Sequence, residues 1–214
     1  VVALIGFRAW WATQGPALRP WHTLVPQELS VAAIDRGDWA AYVAAESRMF
    51  DDLHRSLNRK LEAQDRTPIN RYADDSLASP LAFGRDWNRS YVLEPATPAH
   101  GVAVLLHGLS DSPYSMRALA ELYRAHGFIA LVPRMPGHGT VPAGLTREGR
   151  QEWEATVAMA MREATRRANG KPVHLVGYSN GGALALVHVM RRIANGQGSD
   201  AQRIVLLSPM IEVN

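Results

Sequence analysis

Ser179 lies in the pentapeptide Gly177-Tyr178-Ser179-Asn180-Gly181. The apolar segment 173–176 precedes it, and the small residues that follow suit the first turns of a helix. A serine on a sharp turn between a strand and a helix is held clear of the sheet, while glycines two positions before and after it let the backbones pass. This context favours attack of the serine hydroxyl on an acyl carbon. The alternative is a glycine-rich turn whose serine only caps the helix.

Acyl transfer through a serine also needs two N–H donors for the tetrahedral oxyanion. The backbone amide of Asn180, directly after Ser179 at a helix start, is one predicted donor. The amide of Leu109 is the other, because this residue lies in the loop after the apolar segment 102–106. We interpret His107 as a side chain that fixes this loop by hydrogen bonding, rather than as an acid or base.

Composition restricts the classes of partner and cofactor. Lys and Arg number 23 against 20 Asp and Glu, and this even balance argues against a nucleic-acid partner, which favours a basic stripe or patch. The absence of cysteine excludes disulfides, thiolate zinc sites, iron–sulfur clusters and a cysteine nucleophile. We predict no metal site. With 47% hydrophobic residues, the 214-residue chain can bury a core of its own.

Alternating strand and helix signals from residue 81 onward predict a mostly parallel sheet with crossover helices. The predicted strands are 91–94, 102–106, 128–132, 173–176 and 204–207. The predicted helices are 115–126, 148–168 and one that begins after Ser179. We therefore assign residues 81–214 to one α/β domain.

Two segments precede that domain. Residues 1–26 are predicted to form an arm, and residues 27–80 a helical appendage. The appendage contains an amphipathic helix at 39–61, for which we favour packing on the back of the sheet over covering the pocket.

The arm begins with an apolar run that ends at Arg8 and is followed by Trp10 and Trp11. This pattern is typical of the last two turns of a membrane-spanning helix, with the tryptophans at the interface. It is equally typical of a short buried segment of the domain. The first alternative predicts membrane association through the N-terminus, as a remnant of an anchor or signal segment, in a membrane-anchored, periplasmic or secreted protein. The second leaves a cytoplasmic location open.

Residues 91–209 resemble an α/β-hydrolase, nearest to the bacterial carboxylesterase and monoacylglycerol lipase branch. The resemblance rests on His107-Gly108, the loop 136–139 (Pro-Gly-His-Gly), Trp153 and the turn 177–182, all in the family order. Much of that branch has Met after the nucleophile, where this chain has Asn180. The resemblance implies an α/β-hydrolase fold without its last strands, and hydrolysis of a carboxylic ester or thioester through an acyl-serine. It also implies a small-molecule ester or lipid substrate and neither a metal nor an organic cofactor.

In this family the acid and then the histidine follow the serine in the chain. His188 is the only histidine of the sequence that follows Ser179. It comes nine residues later on the same predicted helix, which places it about 13 Å from Ser179 on the opposite face. The resemblance makes His138 structural, so the base is predicted to lie outside this sequence. Glu212 is a candidate acid, and a solvated glutamate at a loop start is the alternative.

Three interpretations stay open. We favour the first, in which the 214 residues are a piece of a larger hydrolase whose C-terminal side supplies the acid and the histidine. In the second, a silent hydrolase fold serves as a binding module; in the third, a second chain completes the triad. A cofactor-free haloperoxidase is a rival enzyme class. Motif position also predicts an apolar acyl pocket around Leu109, Tyr114, Met116 and Tyr178.

Overall fold

The structure, a computed structural model, describes residues 1–15 and 17–211. Within them, five strands form one sheet in the order β1-β3-β2-β4-β5. The strands are β1 (Tyr91–Leu93), β2 (Gly101–Leu106), β3 (Phe128–Val132), β4 (Val173–Tyr178) and β5 (Arg203–Leu207). β1 is antiparallel to β3, and the other three pairings are parallel, which confirms the predicted mostly parallel sheet. β4 is two residues longer than predicted, because Gly177 and Tyr178 still pair with β5.

Helices flank this sheet and form most of the N-terminal part of the described chain. They are α1 (Val2–Thr13), α2 (Pro20–Thr23), α3 (Val31–Arg36), α4 (Trp39–Lys60), α5 (Arg117–Ala125), α6 (Arg150–Ala168) and α7 (Asn180–Ala194). Short 3-10 helices occur at Ala63–Asp65, Pro80–Ala82, Pro113–Met116 and Pro142–Thr146. α6 begins two residues later than predicted, because the Glu152 side chain accepts a hydrogen bond from the Gly149 amide at 3.1 Å and caps the helix there.

Alternate residues of the central strand β2 divide the core into two layers. All six residues of β2 are buried. Val104 and Leu106 belong to the layer that includes α6 and α7, whereas Ala103 and Leu105 belong to the layer covered by α5. A strand buried on both faces explains the uninterrupted apolar run in the sequence. The loop after β2 is thereby held at the carboxyl edge of the sheet.

α4 contacts both the sheet layer and the loop after β3. Trp39 and Tyr42 lie in the core cluster that contains α6 and α7, as expected for packing on the back of the sheet. Leu53 and Leu57 instead pack with Val141 of the loop after β3. The favoured placement therefore holds only for the start of the helix, because 22 residues span about 33 Å and extend past the sheet.

α1 has none of its twelve residues buried. Its large apolar side chains point to solvent, and Trp11 is 64% exposed. Within the described residues, this stretch does not pack into the core as the alternative of a short buried segment would require. Among the described residues no helix has both the length and the apolar character that crossing a bilayer requires.

Candidate active site

Ser179 occupies the junction between β4 and α7 in a strained backbone conformation. Its φ is 51° and its ψ is −116°, a combination that L-residues rarely adopt. Four backbone hydrogen bonds hold it there. Its N–H donates to the Leu207 carbonyl at 2.9 Å, and its carbonyl accepts from the amides of Gly182 at 3.0 Å, Ala183 at 3.2 Å and Met210 at 3.0 Å. Strain of this kind persists only where surrounding structure imposes it, and it is concentrated at functional sites.

The glycines around Ser179 are required by close backbone approach. A Cβ placed on Gly177 would lie 2.3 Å from the Gly181 carbonyl oxygen, and one on Gly181 would lie 2.3 Å from the Leu106 carbonyl oxygen. No real Cβ tolerates such distances. The turn between β4 and α7 therefore packs directly on the end of β2, which brings the loop after β2 against the serine.

Two backbone amides near Ser179 have no acceptor among the described residues. The Asn180 amide is at the first position of α7, and the Leu109 amide lies in the loop after β2. Neither donates a hydrogen bond to any group in the described part of the chain. The loop is close to the serine, since a Cβ on Gly108 would lie 3.4 Å from the Ser179 Cβ. Helix N-termini and such loop amides are the donors that stabilise a developing oxyanion.

The Asn180 side chain is buried, although its backbone is at a helix start. Its exposed fraction is 6%, and its Nδ2 atom has no hydrogen-bond partner among the described groups. An unpaired buried amide is destabilising. The sequence shows a polar residue after the nucleophile, but its pattern did not predict that the side chain is buried.

His107 fixes the loop after β2, as predicted. Its Nδ1 donates to the Gly108 carbonyl at 2.9 Å, and its Nε2 accepts from the Met135 amide at 3.1 Å. Complete burial lowers its pKa to about 3, with a further contribution from His138. The imidazole is therefore neutral and links the loops that follow β2 and β3.

His138 is also buried, and its ring packs edge-to-face on Trp153 with centroids 5.2 Å apart. Its Nδ1 donates to the Pro136 carbonyl at 3.1 Å, which also accepts from Trp153 Nε1 at 3.0 Å. Burial lowers the pKa of His138. These contacts support the structural role that the resemblance implied for this histidine.

The loop after β3 is anchored by a buried ion network that the sequence did not predict. Both guanidinium NH groups of Arg134 donate to the Glu28 carboxylate at 2.8 Å, and its Nε donates to Glu46. Burial acts to lower the pKa of Arg134, but the two carboxylates outweigh it and raise that pKa well above its usual value. Glu28 also accepts from the Gly137 amide at 2.8 Å. The network thus ties the helical segment 27–80 to the loop that carries His138.

The two carboxylates of this network respond differently to burial. Burial acts to raise the pKa of Glu28, but the charge and hydrogen bonds of Arg134 and the Gly137 amide lower it. For Glu46, burial prevails over Arg134 and raises the pKa. No sequence signal marked these residues, because 106 and 88 positions separate the partners and each glutamate is typical of a solvated helix or loop position.

No histidine hydrogen-bonds to the Ser179 hydroxyl within residues 1–15 and 17–211. His188 lies on α7, as predicted, and its Nε2 is 3.1 Å from both carboxylate oxygens of Asp200. That carboxylate has a lowered pKa, because hydrogen bonding and charge from His188 outweigh its burial. Glu212, the candidate acid, lies outside the described residues.

The predicted acyl pocket is only partly assembled. Met116 is buried in the core layer under α5, so its assignment to a pocket wall is wrong: its apolar side chain packs with Leu105. Leu109, Tyr114 and Tyr178 are exposed near the loop after β2. Of these, Tyr114 lines a cavity of about 440 Å³, together with Ser110, and Ser179 is not among its lining residues. Where the described residues are concerned, no cluster of His, Asp and Glu suits a metal ion.

A mostly parallel sheet with a strained strand–serine–helix turn at its carboxyl edge defines the α/β-hydrolase class of fold. The family model for the alpha/beta hydrolase family matches residues 103–213, more than half of the sequence. The chain belongs to the α/β-hydrolase family, and the resemblance inferred from the sequence is confirmed.

Individual relatives are lipolytic enzymes. A thermostable monoacylglycerol lipase from Bacillus sp. (strain H-257) is 35% identical over 83 residues, which cover 39% of this chain and 32% of the lipase. A structure from work on LipS and LipT, two metagenome-derived lipolytic enzymes, is 27% identical with a TM-score of 0.49 and covers 57% of this chain and 46% of its own. The structure of Paleococcus ferrophilus monoacylglycerol lipase is 25% identical with a TM-score of 0.44, and the match covers 58% of this chain and 44% of the lipase. The chain therefore spans less than half the length of these relatives.

Proposed function

We propose that this chain carries the nucleophile and the oxyanion donors of a serine carboxylic-ester hydrolase of the esterase or monoacylglycerol lipase type. The observation that carries the proposal is the strained backbone of Ser179 at the β4–α7 junction, with φ 51° and ψ −116°. The relationship to a Bacillus monoacylglycerol lipase supports the same class of substrate, a small-molecule ester or lipid.

In the proposed mechanism, Ser179 Oγ forms a bond to the ester carbonyl carbon while its proton passes to a base. The Asn180 and Leu109 amides, which have no acceptor among the described groups, donate to the resulting oxyanion. Collapse of this intermediate breaks the bond to the alcohol oxygen, which takes the proton from the base, and leaves an acyl-serine. Water then attacks the acyl carbon, and the acid is released with Ser179 regenerated.

We further propose that the base is contributed by a segment or chain other than the residues described. The support is geometric: His107 contacts the two loops through both ring nitrogens, and His188 pairs with Asp200. His138 is buried, with its Nδ1 on the Pro136 carbonyl. Glu212 stays a candidate acid. An extension of this chain and a second chain are both compatible with the arrangement, and the following test distinguishes them.

A fluorophosphonate probe read out by intact mass tests these proposals. We expect labelling of a longer form of the protein, or of this chain mixed with a partner, and its loss in Ser179→Ala. Ser208→Ala is the matched control, because Ser208 also has a positive φ, 44°, and is exposed. Stoichiometric labelling of the 214 residues alone would contradict an external base. Absence of labelling in every form would instead favour a binding module.

The rival enzyme class, a cofactor-free haloperoxidase, uses the same kind of serine. We expect the protein to hydrolyse p-nitrophenyl esters and the Ser179→Ala variant to lose this activity. We expect peroxide-dependent halogenation to be no greater in the protein than in the variant. Halogenation without ester hydrolysis would favour the haloperoxidase.

We also propose that α1 binds a lipid surface. Its apolar side chains are exposed, and Phe7 and Trp10 lie with ring centroids 6.0 Å apart on the helix. Tryptophans at such positions favour the bilayer interface. Vesicle flotation should fall in Trp11→Ala but not in Met190→Ala, which removes a similarly exposed apolar side chain from α7. Equal flotation of both variants would oppose this role.

A further inference from the structure

Two surface cavities join beside the loop that carries Leu109. The first, of about 440 Å³, is lined by Ser110, the neighbour of Leu109. The second, of about 490 Å³, is lined by Phe83 and Trp87. Arg71, Asn88 and Tyr114 line both cavities, so the two adjoin one another. Together we call them the arginine cleft.

Three arginines of the arginine cleft form no ion pair within the part of the chain that the structure describes. They are Arg71, Arg85 and Arg117, and none of their guanidinium groups donates a hydrogen bond to a described acceptor. Most other arginines of the chain behave differently: Arg89, Arg134 and Arg167 each pair with at least one carboxylate. The cleft therefore concentrates uncompensated positive charge.

Aromatic rings hold two of these guanidiniums in place. The Arg85 guanidinium carbon lies 4.8 Å from the Trp87 ring centroid and 4.9 Å from that of Tyr91. Arg117 lies 5.6 Å from Trp87 and 5.3 Å from Tyr114. A guanidinium stacked on a ring keeps its N–H edge free for a planar anion, and its preorganised position reduces the entropy lost on binding. This arrangement suits recognition of a carboxylate or phosphate.

Among the described residues, Asp86 is the one acidic side chain that lines the second cavity, and it already forms an ion pair. Asp86 Oδ2 accepts from Arg89 Nε at 3.2 Å, and its Oδ1 accepts from the Asn88 amide at 3.0 Å. Its charge is therefore shared with Arg89 and does not neutralise the three free guanidiniums. Asp111 lines only the first cavity, where its Oδ1 accepts from the Ser112 amide at 2.8 Å and no cation pairs with it among the described residues. The excess of positive charge is therefore greatest in the second cavity.

The remaining wall of the second cavity is mostly apolar. Ile69, Pro80, Phe83 and Trp87 contribute to it, and Ile69 and Phe83 are exposed. Exposed apolar and aromatic surface next to free guanidiniums suits a ligand with an apolar body and one anionic group.

We infer that the arginine cleft binds an amphiphilic anion, with its carboxylate or phosphate at Arg85 and Arg117 and its apolar body against Phe83 and Trp87. Ser110, the neighbour of Leu109 in the chain, lines the first cavity, which shares Arg71, Asn88 and Tyr114 with the second. The anion in the second cavity is therefore inferred to be part of the ester that Ser179 cleaves. That last step rests on the proposed function, whereas the binding itself does not. The substrate class is thus an ester that bears a negative charge away from the scissile bond.

Calorimetric titration of the whole chain tests the binding with monomeric probes that share one alkyl chain. Decanoate and decyl phosphate should each bind at least roughly ten-fold more tightly than decanol or decyltrimethylammonium. Their relative affinity identifies the favoured head group. Anionic binding should weaken with added salt.

Variants locate the site. Arg85→Gln and Arg117→Gln should each weaken decanoate binding roughly ten-fold, and Arg55→Gln, an exposed arginine of α4 that already pairs with Asp52, should not. Thermal unfolding of each variant checks that it folds. Equal affinity for decanol, unchanged binding in both cleft variants, or binding to anionic vesicles without binding to the monomeric probes would overturn the inference.

The inference and the proposed function fail separately. Ser179→Ala should bind decanoate with unchanged affinity, because Ser179 does not line the cleft cavities. Loss of anion selectivity with intact fluorophosphonate labelling would overturn only the inference that the arginine cleft binds an anion. Intact anion binding without labelling in any form of the protein would overturn only the serine mechanism.

Discussion

Glu28 and Arg134 are 106 positions apart in the sequence and form a buried two-point ion pair, with both contacts at 2.8 Å. Their side chains are 5% and 1% exposed, and Glu46 contacts the same guanidinium from α4. The pair joins the segment before α3 to the loop after β3. The stability of the candidate site therefore depends on residues far from Ser179 in the sequence.

Removing Arg134 should be strongly destabilising. Arg134→Met leaves two buried carboxylates without their cation, and we expect a loss of about 3–5 kcal/mol in the free energy of unfolding, measured with urea. Arg150→Met is the control, because that arginine is exposed and pairs on the surface with Glu154. The triple change Glu28→Gln, Glu46→Gln and Arg134→Met should cost less than Arg134→Met alone. An equal or greater cost would oppose this account of the buried charges.

Stability should fall on mild acidification because of His107. Its pKa is lowered from 6.5 to about 3 in the fold, so unfolding takes up a proton between those values. The free energy of unfolding should then decline as the pH falls below 6.5, with a contribution from this residue of about 1.4 kcal/mol per pH unit. His138, whose pKa is also lowered, acts in the same direction.

Urea unfolding of wild type and His107→Gln at a series of pH values isolates the contribution of His107. Glutamine retains one donor and one acceptor but does not titrate. The slope of stability against pH should be smaller in the variant. Identical slopes would show that His107 is not the group responsible.

Gly181→Ala should disrupt the turn that carries Ser179. Its Cβ would lie 2.3 Å from the Leu106 carbonyl oxygen and 2.7 Å from that of His107, so β2 and α7 would have to separate. We expect a loss of more than about 3 kcal/mol or failure to fold, measured by thermal unfolding. Gly84→Ala is the matched control, since nothing lies within 4 Å of its added Cβ. Similar stability of the two variants would contradict the packing of this turn.

Asn180→Leu should stabilise the protein. Leucine has the same branched arrangement of heavy atoms and removes a buried Nδ2 atom that has no partner among the described groups. We expect a gain of about 1 kcal/mol in the free energy of unfolding. The backbone amide is unchanged, so fluorophosphonate labelling in a form that labels should persist. A loss of labelling would indicate that the side chain, and not only the amide, serves the reaction.

The sequence predicted those parts of the fold that depend on local pattern. Apolar runs identified each strand, and the glycine spacing around Ser179 identified the turn between β4 and α7, because a close backbone approach excludes any side chain there. The role of His107 was also predicted. Each of these features is encoded within a few neighbouring residues.

Features that depend on long-range contacts were missed. The Arg134 network joins three separate segments, and Met116 proved to be a core residue because the 3-10 turn at 113–116 directs it under α5. The arginine cleft was missed for the same reason, since Arg71, Arg85 and Arg117 come from three loop or helix-start positions with no common period. Such groupings arise only once the chain has folded.

The position of β5 at one end of the sheet has a consequence for handling the protein. Within the described residues β5 pairs only with β4, so the backbone N–H and C=O groups along its outer side have no strand partner. Two apolar side chains of β5 are also partly exposed to solvent, Ile204 at 36% and Leu207 at 40%. An open, apolar edge is a template for intermolecular strand pairing. Concentrated preparations of this chain should therefore self-associate along β5, and Ile204→Lys or Leu207→Lys should keep the protein monomeric.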